Sequence, residues 1–166
     1  ANNGIVLSVD NYVPSDYTAF YDRTEQALFA DYVCIMAYDE HYKGSDEGSV
    51  ASIGFVQNGV ADTLNEVPAN QIILGIPFYS RVWIETPVDG DTSCEETDDG
   101  SYTLFDLDSY AASMSDVQKL ISANAATPVW SETDGQNYVE YQNDGATYKI
   151  WIEDVTSVEE KLKIMN

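Results

Sequence analysis

Apolar positions along the chain fall into short runs that end in polar or aromatic residues, separated by stretches with helical spacing. Gly4 to Tyr12 reads G-I-V-L-S-V-D-N-Y, a strand pattern that closes before Pro14. Ser15 then stands where an N-cap would stand, and Phe20, Tyr21, Ala27 and Leu28 predict a helix within Tyr17 to Phe29. Asp31 to Tyr38 repeats the plan with Y-V-C-I-M-A-Y, a continuous apolar run of the kind expected from a strand covered on both faces. Val50 to Leu64 is a weaker helical stretch interrupted by Gly54 and Gly59. A third strand is expected at Ile72 to Tyr79, I-I-L-G-I-P-F-Y, followed by Ser80, Arg81, Val82 and Trp83.

The rhythm then changes. Glu85 to Gly100 is polar and punctuated by glycine, which reads as an insertion. Ser115 opens a predicted helix through Asn124, with Val117, Leu120 and Ile121 on one side. Short strands are expected at Val129-Trp130, Tyr138 to Tyr141 and Thr147 to Ile152, around the hairpin signals Asp134-Gly135 and Asp144-Gly145. Thr156 and Glu159 have capping-box spacing, and Val158, Leu162 and Met165 continue as a last helix. Strand-helix, strand-helix, strand, hairpin-bearing insertion, strand and helix make an α/β plan of parallel strands carrying an antiparallel α+β patch. No internal repeat of fixed period is present. A few parallel strands on their own would leave two edges to be covered by a partner half, a swapped copy or loops.

The chain has 166 residues, 44% of them apolar and 22% charged, the composition of a chain that folds. A closed eight-stranded α/β barrel takes roughly 250 residues, so a barrel here can only be partial. The 29 acidic and 7 basic residues leave a net charge of -22, which repels a polyanion and argues against nucleic acid. A neutral polysaccharide or a peptide is compatible with that charge, as is a simple role in solubility. Cys34 lies in an apolar run and reads as a buried thiol. Cys94 sits in the acidic loop, and the two suggest neither a disulfide framework nor zinc spacing. Ala1 to Gly4 carries no signal-peptide pattern and no run is long enough to span a membrane. The chain starts as a piece of a longer protein would.

Three motifs stand in order: M-A-Y-D at Met36 to Asp39, G-I-P-F-Y-S-R at Gly75 to Arg81, and the strand-end Trp151. They resemble the last strands of glycoside hydrolase family 18, which contains chitinases and spore-cortex-lytic hydrolases. The resemblance covers Ile5 to Met165 and implies a partial (β/α)8 TIM barrel comprising the last four strand-helix units. It places strands five to seven in residues 1–83 and an α+β insertion with hairpins in 84–148, which can include a barrel helix near 115–125. Strand eight with the last helix falls in 149–166. It also implies a polysaccharide substrate containing N-acetylglucosamine, chitin or peptidoglycan, and an extracellular or cell-wall location.

The family's reaction is substrate-assisted and retaining: the acetamido oxygen attacks its own anomeric carbon while a Glu protonates the leaving oxygen. That Glu ends a D-x-x-D-x-D-x-E run on the fourth strand. No such run occurs here, and neither Asp10, Asp39 nor Glu153 replaces it by motif. The chain alone is therefore expected to be inactive, needing no metal or cofactor. By the resemblance, Tyr38 bonds the acetamido group, and Asp39 holds a hydroxyl or couples to the missing Glu. Trp151 forms the apolar floor under the sugar, and Met36, Tyr79 and Arg81 line the groove. Each has a plainer alternative: a rim tyrosine, a core Trp, an Arg81 ion pair. His41 reads as a loop residue, and the acidic loop Asp89 to Asp99 lacks calcium-site spacing. Trp130, Tyr138 and Tyr141 on hairpins read as packing partners before a sugar platform. Besides a hydrolase, a non-catalytic carbohydrate-binding relative and a self-associating assembly module fit the sequence.

Overall fold

The computed structural model describes residues 4–88, 94–96 and 102–165. Most of the acidic loop Asp89 to Asp99 lies outside the described residues. Three strands, β1 (Ser8–Tyr12), β2 (Tyr32–Met36) and β3 (Ile72–Gly75), form a parallel sheet in that order. Helix α1 (Arg23–Phe29) joins β1 to β2, and α2 (Ile53–Leu64) joins β2 to β3. Val33 and Ile35 on one face of β2 are wholly buried, packing with Val60 of α2, Val67 and Ile72. Cys34 and Met36 alternate onto the other face and are only half-buried, which corrects the expectation of a buried Cys34 thiol.

The helix expected over Tyr17 to Phe29 is shorter. Ser15 starts only a 3-10 turn, Asp16–Thr18, and the true N-cap of α1 is Asp22, whose carboxylate accepts from Glu25 N at 2.9 Å. Of the apolar residues at helical spacing, Ala27 packs against the core, whereas Phe20 and Leu28 are exposed. The fully buried residue of the helix is Arg23, donating to Tyr12 O and Thr18 Oγ1 and paired with Glu66.

The third strand stops at Gly75, four residues early. Pro77 has no N–H for a ladder, and across Ile76–Phe78 the chain passes into a second sheet. That sheet has six strands: β4 (Tyr79–Pro87), β5 (Cys94–Glu96), β6 (Tyr102–Ser113), β7 (Val129–Ser131), β8 (Gln136–Asn143) and β9 (Ala146–Ile152). Their order is β5-β6-β4-β9-β8-β7, and each described pairing is antiparallel. Helix α3 (Met114–Ala123), capped by Ser113 and not Ser115, lies on one face through Val117 and Ile121 against Val82, Val139, Ile150 and Ile152. Tyr141 also faces that core, stacked on Tyr148 at 5.1 Å, so it is no surface platform. The two-residue loop Asp144-Gly145, with φ of 48° and 80°, turns β8 into β9 as its D-G signal predicts.

Residues 149–152, expected as an eighth barrel strand, pair antiparallel with β4 and β8 and have no parallel neighbour among the described residues. A short apolar run such as Tyr148 to Ile152 fits either sheet by pattern, and pairing on both sides decides it. Helix α4 (Val155–Leu162) follows, capped by Asp154 with Ser157 rather than by Thr156 with Glu159, and it packs on α2.

A buried polar network ties the six-stranded sheet to α4 and to the segment before α2. Glu153, fully buried, accepts from Lys161 Nζ at 2.6 Å, Gln136 Nε2 at 2.5 Å and Ser157 Oγ at 2.8 Å. Its backbone N–H reaches Ser80 Oγ at 2.8 Å, and Gln136 Oε1 accepts from Ser49. Burial holds the Glu153 carboxyl above the ordinary range despite Lys161. A carboxyl whose pKa is raised on folding favours the fold at low pH and loses that contribution as pH climbs through the folded value. Lys161→Met is therefore expected to cost about 3–5 kcal/mol at pH 8, and less at pH 5, because protonation of a raised carboxyl grows easier as the pH falls and removes the unpaired buried charge. Urea unfolding at the two pH values checks this; an equal loss at both rules it out.

Candidate functional site

The parallel strands present their C-terminal ends together. The register sets Asp10 beside Cys34, Tyr12 beside Met36, and Met36 beside Gly75. Beyond β2 the chain is pinned again at Ala37, whose N–H donates to Gly75 O at 3.0 Å, and at Glu40, whose N–H donates to Val50 O at 3.0 Å. Between them Asp39 takes a left-handed φ of 58°. For a residue other than glycine this costs on the order of 1 kcal/mol, sustained where the surroundings over-determine it. Glu40 supplies part of that constraint, its carboxylate accepting from Ser52 N and Oγ at the start of α2, at 2.7 and 3.0 Å. Tyr79, first residue of β4, supplies the rest by donating its phenol proton to Asp39 Oδ1.

Tyr38 and Asp39 open into a cleft of about 590 Å³ whose wall also includes Tyr12, Tyr17, Glu40 and Tyr42. Burial and then the Asp39 carboxylate push the Tyr79 phenol well above the ordinary tyrosine range, against the pull of Arg81. Burial also raises Tyr38, with smaller contributions from Cys34, Asp39, Tyr12 and Asp10. Both phenols remain protonated donors at neutral pH. Among the described residues two carboxyls are held high, Glu153 in its network and Glu47 beside Lys149 and Glu85, and neither lines the cleft. The cleft can thus hydrogen-bond and orient a polar ligand, but among the described residues no raised carboxyl opens into it.

The other expected residues are placed differently. Met36 lies behind the lining, between Tyr12 and Gly75. Arg81 shares the Tyr79 side of β4, but its guanidinium turns to Ser109 Oγ at 3.2 Å and over the Trp83 ring at 5.9 Å, and it pairs with no carboxylate among the described residues. Trp151 is apart from the Tyr38 cleft: its indole N–H donates to Asp134 Oδ2 at 3.1 Å and its ring lies 4.8 Å from Tyr138. His41 is a loop residue, its Nδ1 2.8 Å from Ser49 O. The aromatic wall of Tyr12, Tyr17 and Tyr42 had no role assigned from sequence. Tyr12 ends a strand, which was the available signal, while Tyr17 was read as the start of a helix and lies in a 3-10 turn, and Tyr42 sits in a segment without periodicity.

The sequence profile described as glycosyl hydrolases family 18 matches residues 5–166. A Bacillus subtilis protein named as a sporulation-specific glycosylase, YdhD, is 28% identical over 145 residues, 87% of this chain and 31% of its own length. The cortical fragment-lytic enzyme of the same organism is 25% identical over 87% of this chain and 30% of its own length. The chain thus spans about a third of these relatives. Among solved structures, that of YdhD superposes with a TM-score of 0.78 at 26% identity, covering 98% of this chain and 50% of the other. A chitinase from Chromobacterium violaceum superposes with a TM-score of 0.70 at 25% identity, covering 92% and 44%. With a profile match that runs through both sheets and includes the Tyr38, Asp39 and Tyr79 cluster, this chain belongs to the glycosyl hydrolases family 18.

Proposed function

We propose that this chain is the substrate-positioning part of a family 18 glycoside hydrolase acting on a polysaccharide that contains N-acetylglucosamine, chitin or peptidoglycan. In this reading β1 to β3 are strands of a (β/α)8 barrel and the six-stranded sheet is its α+β insertion. The parent protein acts outside the cell or at the wall. The observation that carries it is the joined set of Tyr38, Asp39 and Tyr79 at the C-terminal ends of parallel strands, where α/β barrels gather their chemistry.

A substrate-assisted reaction requires an acetamido group held over its own anomeric carbon. Tyr38, kept protonated, donates a hydrogen bond to that group. The carboxylate of Asp39 accepts from the sugar or its acetamide, aimed by the Tyr79 phenol and by its own left-handed backbone. Proton delivery to the leaving oxygen falls to a residue of the D-x-x-D-x-D-x-E type, which is not in this sequence. The chain alone therefore binds without cleaving. Trp151 is not part of the floor under the reacting sugar in this reading, because it does not line the cleft.

Chito-oligosaccharide should bind the isolated chain with no release of reducing sugar. Tyr38→Phe and Asp39→Asn should each weaken binding about tenfold, the effect of one lost charge-assisted hydrogen bond or a little more. Isothermal titration with chitohexaose measures this, and unchanged affinity in both variants refutes the placement of the sugar. Separately, the Tyr79 phenol should ionise only well above the ordinary tyrosine range. In Asp39→Asn its pKa should fall, yet stay above the ordinary value because burial remains. The Cζ chemical shift of Tyr79 across a pH titration reports both, and an indifferent Tyr79 would show that the phenol does not bond Asp39.

A further inference from the structure

The residue that the cleft leaves unused, Trp151, belongs to a second surface concavity. It has a volume of about 350 Å³ and is lined by Val129, Ser131, Asp134, Tyr138 and Trp151, with Trp130 beside them. The register of the six-stranded sheet sets Val129, Tyr138 and Trp151 side by side in one row, on the face away from α3. Tyr138 and Trp151 are tilted 54° to one another, so they make a bent aromatic shelf, and Val129 at the sheet edge is 66% exposed. Asp134 stands at the rim with its orientation set. Its Oδ2 accepts from the Trp151 indole at 3.1 Å and from Ser131 Oγ at 2.6 Å, and its backbone carbonyl accepts from Ile53 N at the start of α2 at 2.8 Å. The Tyr138 hydroxyl is tied to Glu140 at 2.7 Å, which fixes the ring.

We propose that this shelf is a second glycan-binding site, taking an uncharged N-acetylhexosamine unit of the polymer that occupies the Tyr38 cleft. The inference rests on the carbohydrate reading above. Aromatic faces suit the axial C–H side of a pyranose, while a fixed carboxylate and hydroxyl at the rim meet its hydroxyls or acetamide N–H. Neither Lys nor Arg lines the concavity, and the chain carries a net charge of -22, so an acidic ligand is disfavoured. The shelf and the cleft share no lining residue, but β4 runs from one toward the other. The β4–β9 ladder, in which Val82 faces Ile150, brings Arg81 beside Trp151 when carried one residue further, and Ser80 Oγ bonded to Glu153 N supports that register. Arg81 is two positions from Tyr79 on the same side of β4. Tyr138 is then two strand spacings from Arg81, about 10 Å, within the span of a short oligosaccharide that also reaches Tyr79.

The test is a titration of the 15N-labelled chain with chitohexaose. The Trp151 indole N–H, assigned with Trp151→Phe, reports on the shelf, and the amides of Tyr38 and Asp39 report on the cleft. The expected result is that both sets of signals shift. Tyr138→Ala and Trp151→Ala, checked for an intact amide spectrum, should bind chitohexaose about five- to tenfold more weakly. If the amides of Tyr38 and Asp39 shift while the Trp151 indole stays still, the shelf proposal is overturned and the cleft reading stands. A moving indole with silent cleft amides overturns the cleft reading and, with it, the claim that one polymer spans both sites. If nothing moves at saturating ligand, both fall. The indole signal needs no substitution at the shelf, so a variant that fails to fold does not remove the test.

Discussion

Glu153 ties the six-stranded sheet to α4 and, through Gln136, to the segment that leads into α2. A carboxylate with no exposure to water carries a large desolvation cost, and it is tolerated only when its oxygens are fully engaged. Its partners come from different parts of the chain: Lys161 and Ser157 from α4, Gln136 from β8, and through Gln136 the Ser49 hydroxyl. Ser49 also takes the Ala51 N–H at 2.9 Å, at the foot of α2. Hydrophobic packing holds each sheet to its own helices, because the buried clusters are separate: Val33, Ile35 and Val60 in one, Val82, Val139 and Ile150 in another. The polar network runs from the six-stranded sheet to α4 and the segment before α2, and its directional bonds define how these meet in a way that a greasy interface would not.

That fixed meeting is what makes the cleft possible. Tyr79 belongs to the antiparallel sheet and Asp39 to the loop after β2, so their hydrogen bond spans the junction. The segment Glu40 to Ala51 is held along its length. Glu40 sits on Ser52, Glu47 on Lys149 at 2.7 Å, and Gly48 O receives the buried Trp83 indole at 2.8 Å. Gly48 has no room for a side chain, since a Cβ there would lie 2.5 Å from the His41 ring. A loop anchored this way keeps Asp39 in a backbone conformation it would not choose by itself, and a pre-set acceptor loses little freedom when a ligand arrives.

Much of the parallel part was legible because one-dimensional pattern carries it. Continuous apolar runs announced β1 to β3, and D-G at Asp144-Gly145 announced its hairpin through the positive φ that turn demands. The M-A-Y-D and G-I-P-F-Y-S-R motifs pointed to Tyr38, Asp39 and Tyr79, which the structure gathers. Pattern failed where pairing or partners decide. Nothing in Tyr148 to Ile152 tells a parallel from an antiparallel ladder, so Trp151 was placed by a motif and found in another sheet. The burial of Arg23 and Lys161 was hidden for the same reason: charged residues read as surface until their acceptors, distant in sequence, are known. Asp154 capped α4 in place of Thr156 because both have the right chemistry and only geometry chooses.

The hydrogen bond from Glu153 N to Ser80 Oγ has a consequence for how such a chain can vary over evolution. It brings the entrance of the six-stranded unit, at the start of β4, against its exit after β9. A unit whose two ends touch behaves like a cassette: strands can be added to it, lengthened or trimmed at the far edge without altering the distance its ends must span. The antiparallel sheet can therefore change at that edge while the parallel strands keep their spacing, so variation in the one is uncoupled from risk to the other.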